Sequence, residues 1–471
     1  MRATFRRDFL LVLSCTFASL AIADLGAAAT FSVTSLADAG PGSLRSAVLA
    51  ANTVAGADEI VFAPGLNGTI TLTSGEIAIT DDLVITGPGA DVLTVSGNRQ
   101  SRIFNIDAGT DEALDVTVSR LTLTQGFAQG PGGAVLVKAG RVTIRHSVIS
   151  DSVSESSLPS PSFPSACGGN LGGFDPTSGL SGAFYIEDST VSGGVAKAAG
   201  AVPYSQGGNI CSGGVFMERS TVSGGWADSA GGIFGGGVIR ASTISGNLRG
   251  AGLYGTWRLE ASTISGNIGG GAVLRIEGGT LNSTISGNTY FGIYVTGNPH
   301  DPASLIHFRL TTFLNNGERN LVVDENSAYA FLDHSILAGT PQDVPFLNVE
   351  ANYSLIENPP GEVLGTNNIL GVDPLLTPLG NHGGPTLTHA LLPGSPAIEA
   401  GDPAIPDPPA TDQRGFARIV GPRIDLGAVE AQQQGIAEVP VLSPVGLLAL
   451  MALLSVFGVW RLRSRRCGRA L

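Results

Sequence analysis

Charge is scarce in this chain. Charged residues fill 14% of its 471 positions, against about a quarter in an ordinary soluble domain. Lys138 and Lys197 are its only lysines, and its formal net charge is −13. That balance excludes a nucleic-acid binder, which needs basic density to displace counterions from phosphates. Cysteine is scarce too, with only Cys167 and Cys211 between the two ends. Two cysteines whose nearest histidine is the distant His146 do not make a zinc site. A structural disulfide or two free thiols remain. No serine triad or metal motif occurs. The Gly-rich runs Gly231–Gly237 and Gly269–Gly271 lack the Lys-Ser/Thr of a phosphate loop. No cofactor is implied.

Glycine, by contrast, is abundant at 66 residues, about twice its usual share. It does not recur at every third position, which excludes collagen. The 43% hydrophobic content excludes a disordered polyelectrolyte.

The basic residues gather at the ends. Residues 1–29 have the form of an export signal: Arg2, Arg6 and Arg7, an apolar stretch from Phe9 to Ile22, then Ala21-Ile22-Ala23 and Ala27-Ala28-Ala29 as candidate cleavage sites. Arg6-Arg7-Asp8-Phe9-Leu10 follows the twin-arginine pattern, leaving that route and the general secretory one both open. At the other end, Val439–Trp460 is long and apolar enough to span a bilayer. Arg461, Arg463, Arg465 and Arg466 follow it, which places the tail in the cytoplasm and the body outside. The expectation is an exported protein of the cell envelope, held by one C-terminal transmembrane helix or released after processing.

The body is a repeat. Ser-Thr-Ile-Ser-Gly-Asn begins at Ser242, Ser262 and Ser283, and Ser-Thr-Val-Ser-Gly-Gly at Ser189 and Ser220. Degenerate copies start at Ser147, Thr311, Ser335 and Ser354. Short β-branched runs every ~20–25 residues cannot bury an apolar face alone and must stack. The glycines exclude helical repeats, and no leucine ladder is present. The pattern predicts an all-β fold, a right-handed parallel β-helix. Ile144, Ile186, Met217, Ile239, Leu259, Phe308 and Leu332 form one interior column, three residues before each motif start. Ile149, Val191, Val222, Ile244, Ile264, Ile285, Phe313, Leu337 and Ile356 form a second. Between them Glu218, Arg240 and Glu260 form an outward ladder of alternating sign. Asn247, Asn267, Asn288 and Asn316 recur in a turn, where Asn tolerates left-handed backbone.

The flanks carry resemblances. Ser43-Leu44-Arg45-Ser46-Ala47-Val48 is similar to the C-S-L-R-E-A-I opening of bacterial surface β-helix proteins, with Gly42 in place of the Cys. It implies a short helix capping the coil. Gly383-Gly384-Pro385-Thr386-Leu387-Thr388, Pro393-Gly394-Ser395-Pro396-Ala397-Ile398, Asp412-Gln413-Arg414-Gly415 and Asp425-Leu426-Gly427-Ala428-Val429-Glu430 resemble the choice-of-anchor Q domain. Val439-Pro440-Val441-Leu442-Ser443, the apolar helix and the arginines resemble IPTL- and PEP-type sorting signals. The implied organisation is a signal peptide at 1–29, a cap with the first coils at 30–105 and repeats at 106–360. A choice-of-anchor Q-like region follows at 361–432, then a linker, anchor and basic tail at 433–471. The family implies no catalytic residues.

These observations lead to an anchored surface scaffold or adhesin-like protein without a catalytic or metal site. Its expected partners are the membrane, through the C-terminal helix, and a cell-surface polysaccharide or sorting machinery. The alternative is a polysaccharide-acting enzyme, lyase or glycosidase, on the same fold. A groove with unpaired carboxylates would favour the enzyme, and a groove-free cylinder with paired charges the scaffold. Trp226, Trp257 and Tyr290 are the candidates for stacking on a sugar. His146 and His334, each just before a motif serine, are expected to be turn residues.

Overall fold

The computed structural model describes residues 28–432 except 111, 157–165, 175–180, 199–204, 276–277, 298–304, 325–327 and 346–347. Most of the expected export signal, the C-terminal apolar segment and the basic tail lie outside the described residues. Among the described residues no helix is long and apolar enough to cross a membrane.

Every motif copy forms a short strand, as at Thr190–Ser192, Thr221–Ser223, Thr243–Ser245, Thr263–Ser265 and Thr284–Ser286. These strands pair in parallel, like residue on like residue, within a sheet of 13 strands. The strands leading into the motif serines, and those following the turn, join in a second sheet of 23 strands. The chain therefore winds as a parallel β-helix. Each coil shows a motif face, a face before the serine and a face after the turn. Both expected interior columns are buried: Ile244, Ile264 and Ile285 are 0% exposed and stack in register. Ile239, Leu259 and Phe308 do the same in the other column, which Thr280 interrupts.

Winding a coil needs sharp corners, and two polar columns make them. At the first corner the residue before each serine is left-handed: Asp188, Arg219, Ala241, Ala261, Asn282 and His334 have φ between 46° and 53°. His146 shares this conformation, so both histidines are turn residues. Each buried serine then accepts the N–H of its counterpart one coil back. Ser242 N–H reaches Ser262 Oγ at 3.2 Å, and Ser262 Oγ donates to Glu260 O at 2.8 Å.

The second corner holds the asparagines, with a change from expectation. The left-handed residues are Gly246, Gly266 and Gly287, one position earlier. The asparagine side chains point inward instead, and the amide of each donates to the next. Asn247 Nδ2 reaches Asn267 Oδ1 at 2.8 Å, Asn267 Nδ2 reaches Asn288 Oδ1 at 2.9 Å, and Asn288 Nδ2 reaches Asn316 Oδ1 at 2.8 Å. The column extends back through Asn209 to Asn170 and forward through Asn320 to the buried Asp343. Beside its beginning Cys167 and Cys211 form a disulfide across adjacent coils, with Cα atoms 5.4 Å apart.

The helix Leu44–Ala51 closes the N-terminal end, its Ser43 cap accepting from the Ser46 N–H at 3.2 Å. Leu44, Ala47, Val48 and Ala51 turn toward the core. At the other end residues 373–432 fold back as an apron over the last motif strands. Gln413 grips polar atoms of two adjacent coils: its amide donates to Ser262 O and Thr263 Oγ1, and its oxygen accepts from Thr284 Oγ1 at 2.6 Å. His389 Nε2 lies 2.8 Å from Ser286 Oγ, and Thr312 Oγ1 accepts the Ala428 N–H. This explains why the outward threonines at 263, 284 and 312 are buried while those at 190, 221 and 243 are half-buried.

Candidate functional site

The face before the serines carries two outward columns. One runs Arg145, Glu187, Glu218, Arg240, Glu260, Leu281, Arg309, Asp333. The ladder over Glu218, Arg240 and Glu260 is in the expected register, but Glu218 pairs with its neighbour Arg219. Glu260 takes two guanidinium groups, Arg240 Nε at 2.6 Å and Arg258 Nε at 2.7 Å. Its carboxylate is therefore spoken for, and the alternating charges pair as a surface ladder.

The other column runs Tyr185, Phe216, Val238, Arg258, Gly279, His307, Phe331. Here the regularity breaks. Gly278 and Gly279 remove two side chains from one coil, because their backbone passes too close to its neighbours for any. A Cβ on Gly279 would lie 2.2 Å from His307 O, and one on Gly278 would lie 2.6 Å from Trp257 O. Gly278 faces the core, and the side chain missing at the outward Gly279 leaves a cleft of about 490 Å³ floored by glycine backbone. Arg258 stands on one side, His307 and Arg309 on the other, with Leu281 and Leu305 completing the wall. Arg258 and His307 are two strands apart, roughly 9–10 Å between their backbones, which leaves one coil's width between them. Arg258 is 68% exposed at its side chain, and the His307 ring is exposed and stacks on Phe331 with centroids 5.1 Å apart. Among the described residues no carboxylate lines this cleft. Its chemistry is that of two guanidinium groups and an imidazole: it can bind an anion and accept a proton.

A second cleft, of about 530 Å³, lies where Asp91, Arg120, His146 and Asp188 meet. Arg219 grips Asp188 with two bonds of 2.8 and 2.9 Å and holds its carboxyl below the usual range. A carboxylate so held cannot serve as an acid near neutral pH. Among the described residues no group of three or more His, Cys, Asp or Glu side chains could hold a metal ion.

The stacking candidates separate. Trp257 is 0% exposed: it points into the core, where Gly237 and Gly278 flank it in register and leave room for its rings. It is corrected to a core residue. Trp226 is half-buried with the Arg249 guanidinium 5.0 Å from its ring centre. Tyr290 is 57% exposed, and none of the three lines the 490 Å³ cleft. The cleft residues were missed because its two walls come from different coils. The signal available was the break of both columns at Thr280 and Leu281, in the copy that starts at Ser283.

The four C-terminal motifs meet one another in the apron. Asp412 accepts from the Glu430 N–H and from Arg414, whose Nη2 is 2.6 Å away. Asp425 accepts from the Glu399 and Ala431 N–H groups. Arg418 is fully buried among them and donates to Asp425 O and Gly427 O. Burial lowers Arg418 to about 10, still a cation at neutral pH. Burial, with Asp425 adding to it, lifts the Glu430 carboxyl to about 7. A carboxyl raised by folding stabilises the fold fully below its unfolded value, and that contribution fades as pH rises through the folded value. Stability is thus expected to fall from about pH 5 to 8, by on the order of 2–3 kcal/mol from this group. Denaturant titrations at several pH values check this, and Glu430→Gln should flatten the slope.

No protein-family model matches the sequence, and no curated protein matches it. Solved structures similar to this chain include a pectate lyase, 13% identical over 86% of this chain and 97% of that one, with a TM-score of 0.44. The A-module of an Azotobacter vinelandii mannuronan C-5 epimerase is 11% identical over 73% of this chain and all of that one, with a TM-score of 0.43. A family 6 alginate lyase is 12% identical over 76% of this chain and 55% of that one, with a TM-score of 0.39. These likenesses concern the β-helix fold. The expectation of a scaffold without a site is corrected at the surface, which is no groove-free cylinder: it carries the cleft over Gly279. Among the described residues the cleft offers cations and an imidazole rather than the unpaired carboxylates expected of the enzyme alternative.

Proposed function

We propose that the protein cleaves a uronate-containing polysaccharide by β-elimination at the cleft over Gly278 and Gly279. The observation that carries this is an exposed imidazole facing a guanidinium across one coil's width, with a second guanidinium beside it. Hydrolysis by paired carboxylates needs two such groups about 5–9.5 Å apart, and Glu260 already carries two arginines.

Elimination asks for what is present. A uronate carboxylate bound by Arg258 and Arg309 loses much of its charge, so the proton on the adjacent C5 becomes easier to remove. The His307 imidazole takes that proton. The C–H electron pair forms a C4–C5 double bond, and the C4–O bond to the neighbouring sugar breaks. The departing oxygen takes up a proton, which the His307 imidazolium can return. An export signal at residues 1–29 agrees with this reading, since such polymers are met outside the cytoplasm. Under it, the choice-of-anchor Q-like region and the segment 439–460 hold the enzyme at the envelope.

The test is to incubate the full chain with polygalacturonate, alginate, a glucuronan and a neutral glucan. Ultraviolet absorbance of the conjugated unsaturated uronate is expected from at least one acidic polymer and not from the neutral one. Cleavage of the neutral glucan, or of an acidic polymer without unsaturated ends, would overturn the reading.

A further inference from the structure

We infer that His334 and the apron segment Asp402–Asp407 are positioning elements for Arg309, so that the apron forms part of the cleft. This rests on the reading of the cleft given above.

Arg309 leaves the end of the strand Leu305–Arg309 and is held from two sides. Its terminal nitrogens donate to two apron carbonyls, Asp407 O at 3.2 Å and Pro406 O. Its Nε lies 3.4 Å from Asp333 Oδ2, on the next strand of the same column. Asp333 in turn is held by His334, whose Nδ1 lies 2.8 Å from Asp333 Oδ1. The ring of His334 is 2% exposed and stacks on Tyr353 with centroids 5.3 Å apart.

The apron sets the state of that ring. The Asp402 backbone N–H donates to His334 Nε2 at 2.9 Å. A ring nitrogen that accepts from an amide carries no proton, so Nδ1 carries it and donates to Asp333. The Gly427 N–H also donates to His334 O, at 2.8 Å. Gly401 lets the apron come this close: a Cβ there would lie 2.8 Å from His334 Cδ2. Apron backbone thus fixes His334, and His334 fixes Asp333. Arg309 is held by its two bonds to apron carbonyls together with an ion pair to Asp333 in which Nε makes no hydrogen bond. An arginine fixed beforehand loses less side-chain freedom when it binds a carboxylate.

Two measurements test this. The first needs no substrate: labelling of Arg309 by phenylglyoxal, followed by peptide mass spectrometry, with the exposed Arg275 as internal standard. His334→Ala should speed labelling of Arg309 severalfold, and His334→Gln, which can still accept from Asp402 and donate to Asp333, should restore the slow rate. The second is steady-state kinetics on a uronate oligosaccharide. His334→Ala should raise KM severalfold and lower kcat with it, since Arg309 shares the carboxylate with Arg258, and His334→Gln should restore both. Asp333→Asn, at a side chain 40% exposed, repeats the test should His334→Ala fail to fold. Unchanged labelling and unchanged KM in a folded variant would overturn the inference. Faster labelling in a protein that neither binds nor cleaves any polyuronate would overturn the functional reading and leave the positioning role standing.

Discussion

Replacing His307 by alanine is expected to lower kcat on an acidic polysaccharide by a factor of about 10²–10⁴, the usual contribution of a positioned general base. The fold should survive the change. The side chain is exposed, its ring lies outside the core, and the neighbouring Ile306 and Phe308 that anchor its strand are buried. KM should move little, since carboxylate binding is assigned to Arg258 and Arg309. Arg258→Ala is the complement: it should raise KM and lower kcat together, because neutralising the carboxylate helps both binding and the developing negative charge. Arg258→Lys should recover only part of this, as an ammonium lacks the planar fork that meets a carboxylate with two bonds. Turnover by His307→Ala within threefold of the wild type would remove His307 from the chemistry and leave the cleft a binding site.

The extent to which the sequence displays this arrangement follows from how each part is built. A β-helix stacks equivalent residues, so a repeated motif names its own neighbours: Ile244, Ile264 and Ile285 had to meet, and they do. The charged ladder is legible for the same reason. The cleft is made by what the repeat omits. Gly278 and Gly279 carry no side chain to mark it, and His307 reaches it from the following coil. Residue type alone also misleads about aromatics. Trp257 lies on the inward side of its strand, and a one-residue step along a strand exchanges inside for outside. The apron is a third case. Its motifs announce a folded unit, whereas docking on Thr263, Thr284 and Thr312 depends on side chains over a hundred residues earlier.

The largest expected loss of stability comes from the asparagine column. Asn267 is 0% exposed and engages both neighbouring coils. Its oxygen accepts from Asn247 Nδ2 at 2.8 Å and from the Asn247 N–H at 3.1 Å, while its amide donates to Asn288 Oδ1 and to Ile244 O. Asn267→Ala removes every one of these and leaves two donors on Asn247 in a dry interior. A buried polar group without a partner costs about 1–3 kcal/mol, so about 3–5 kcal/mol is expected, apart from any water the gap admits. Asn267→Asp should be at least as damaging. It keeps the acceptor for Asn247 but turns an oxygen toward Asn288 Oδ1, where a donor stood. Ser262→Ala is the comparison at the other corner. It leaves the Ser242 N–H without its acceptor and frees the carbonyls of Glu260 and Ile239, which amounts to about 1–2 kcal/mol. Because each coil is stabilised by its neighbours, the effect should appear as early local opening of the coils around 247–288. Hydrogen exchange across those coils, with urea midpoints for the three variants, gives the order. Ser262→Ala proving as costly as Asn267→Ala would mean that the asparagine column shapes the corner without carrying its stability.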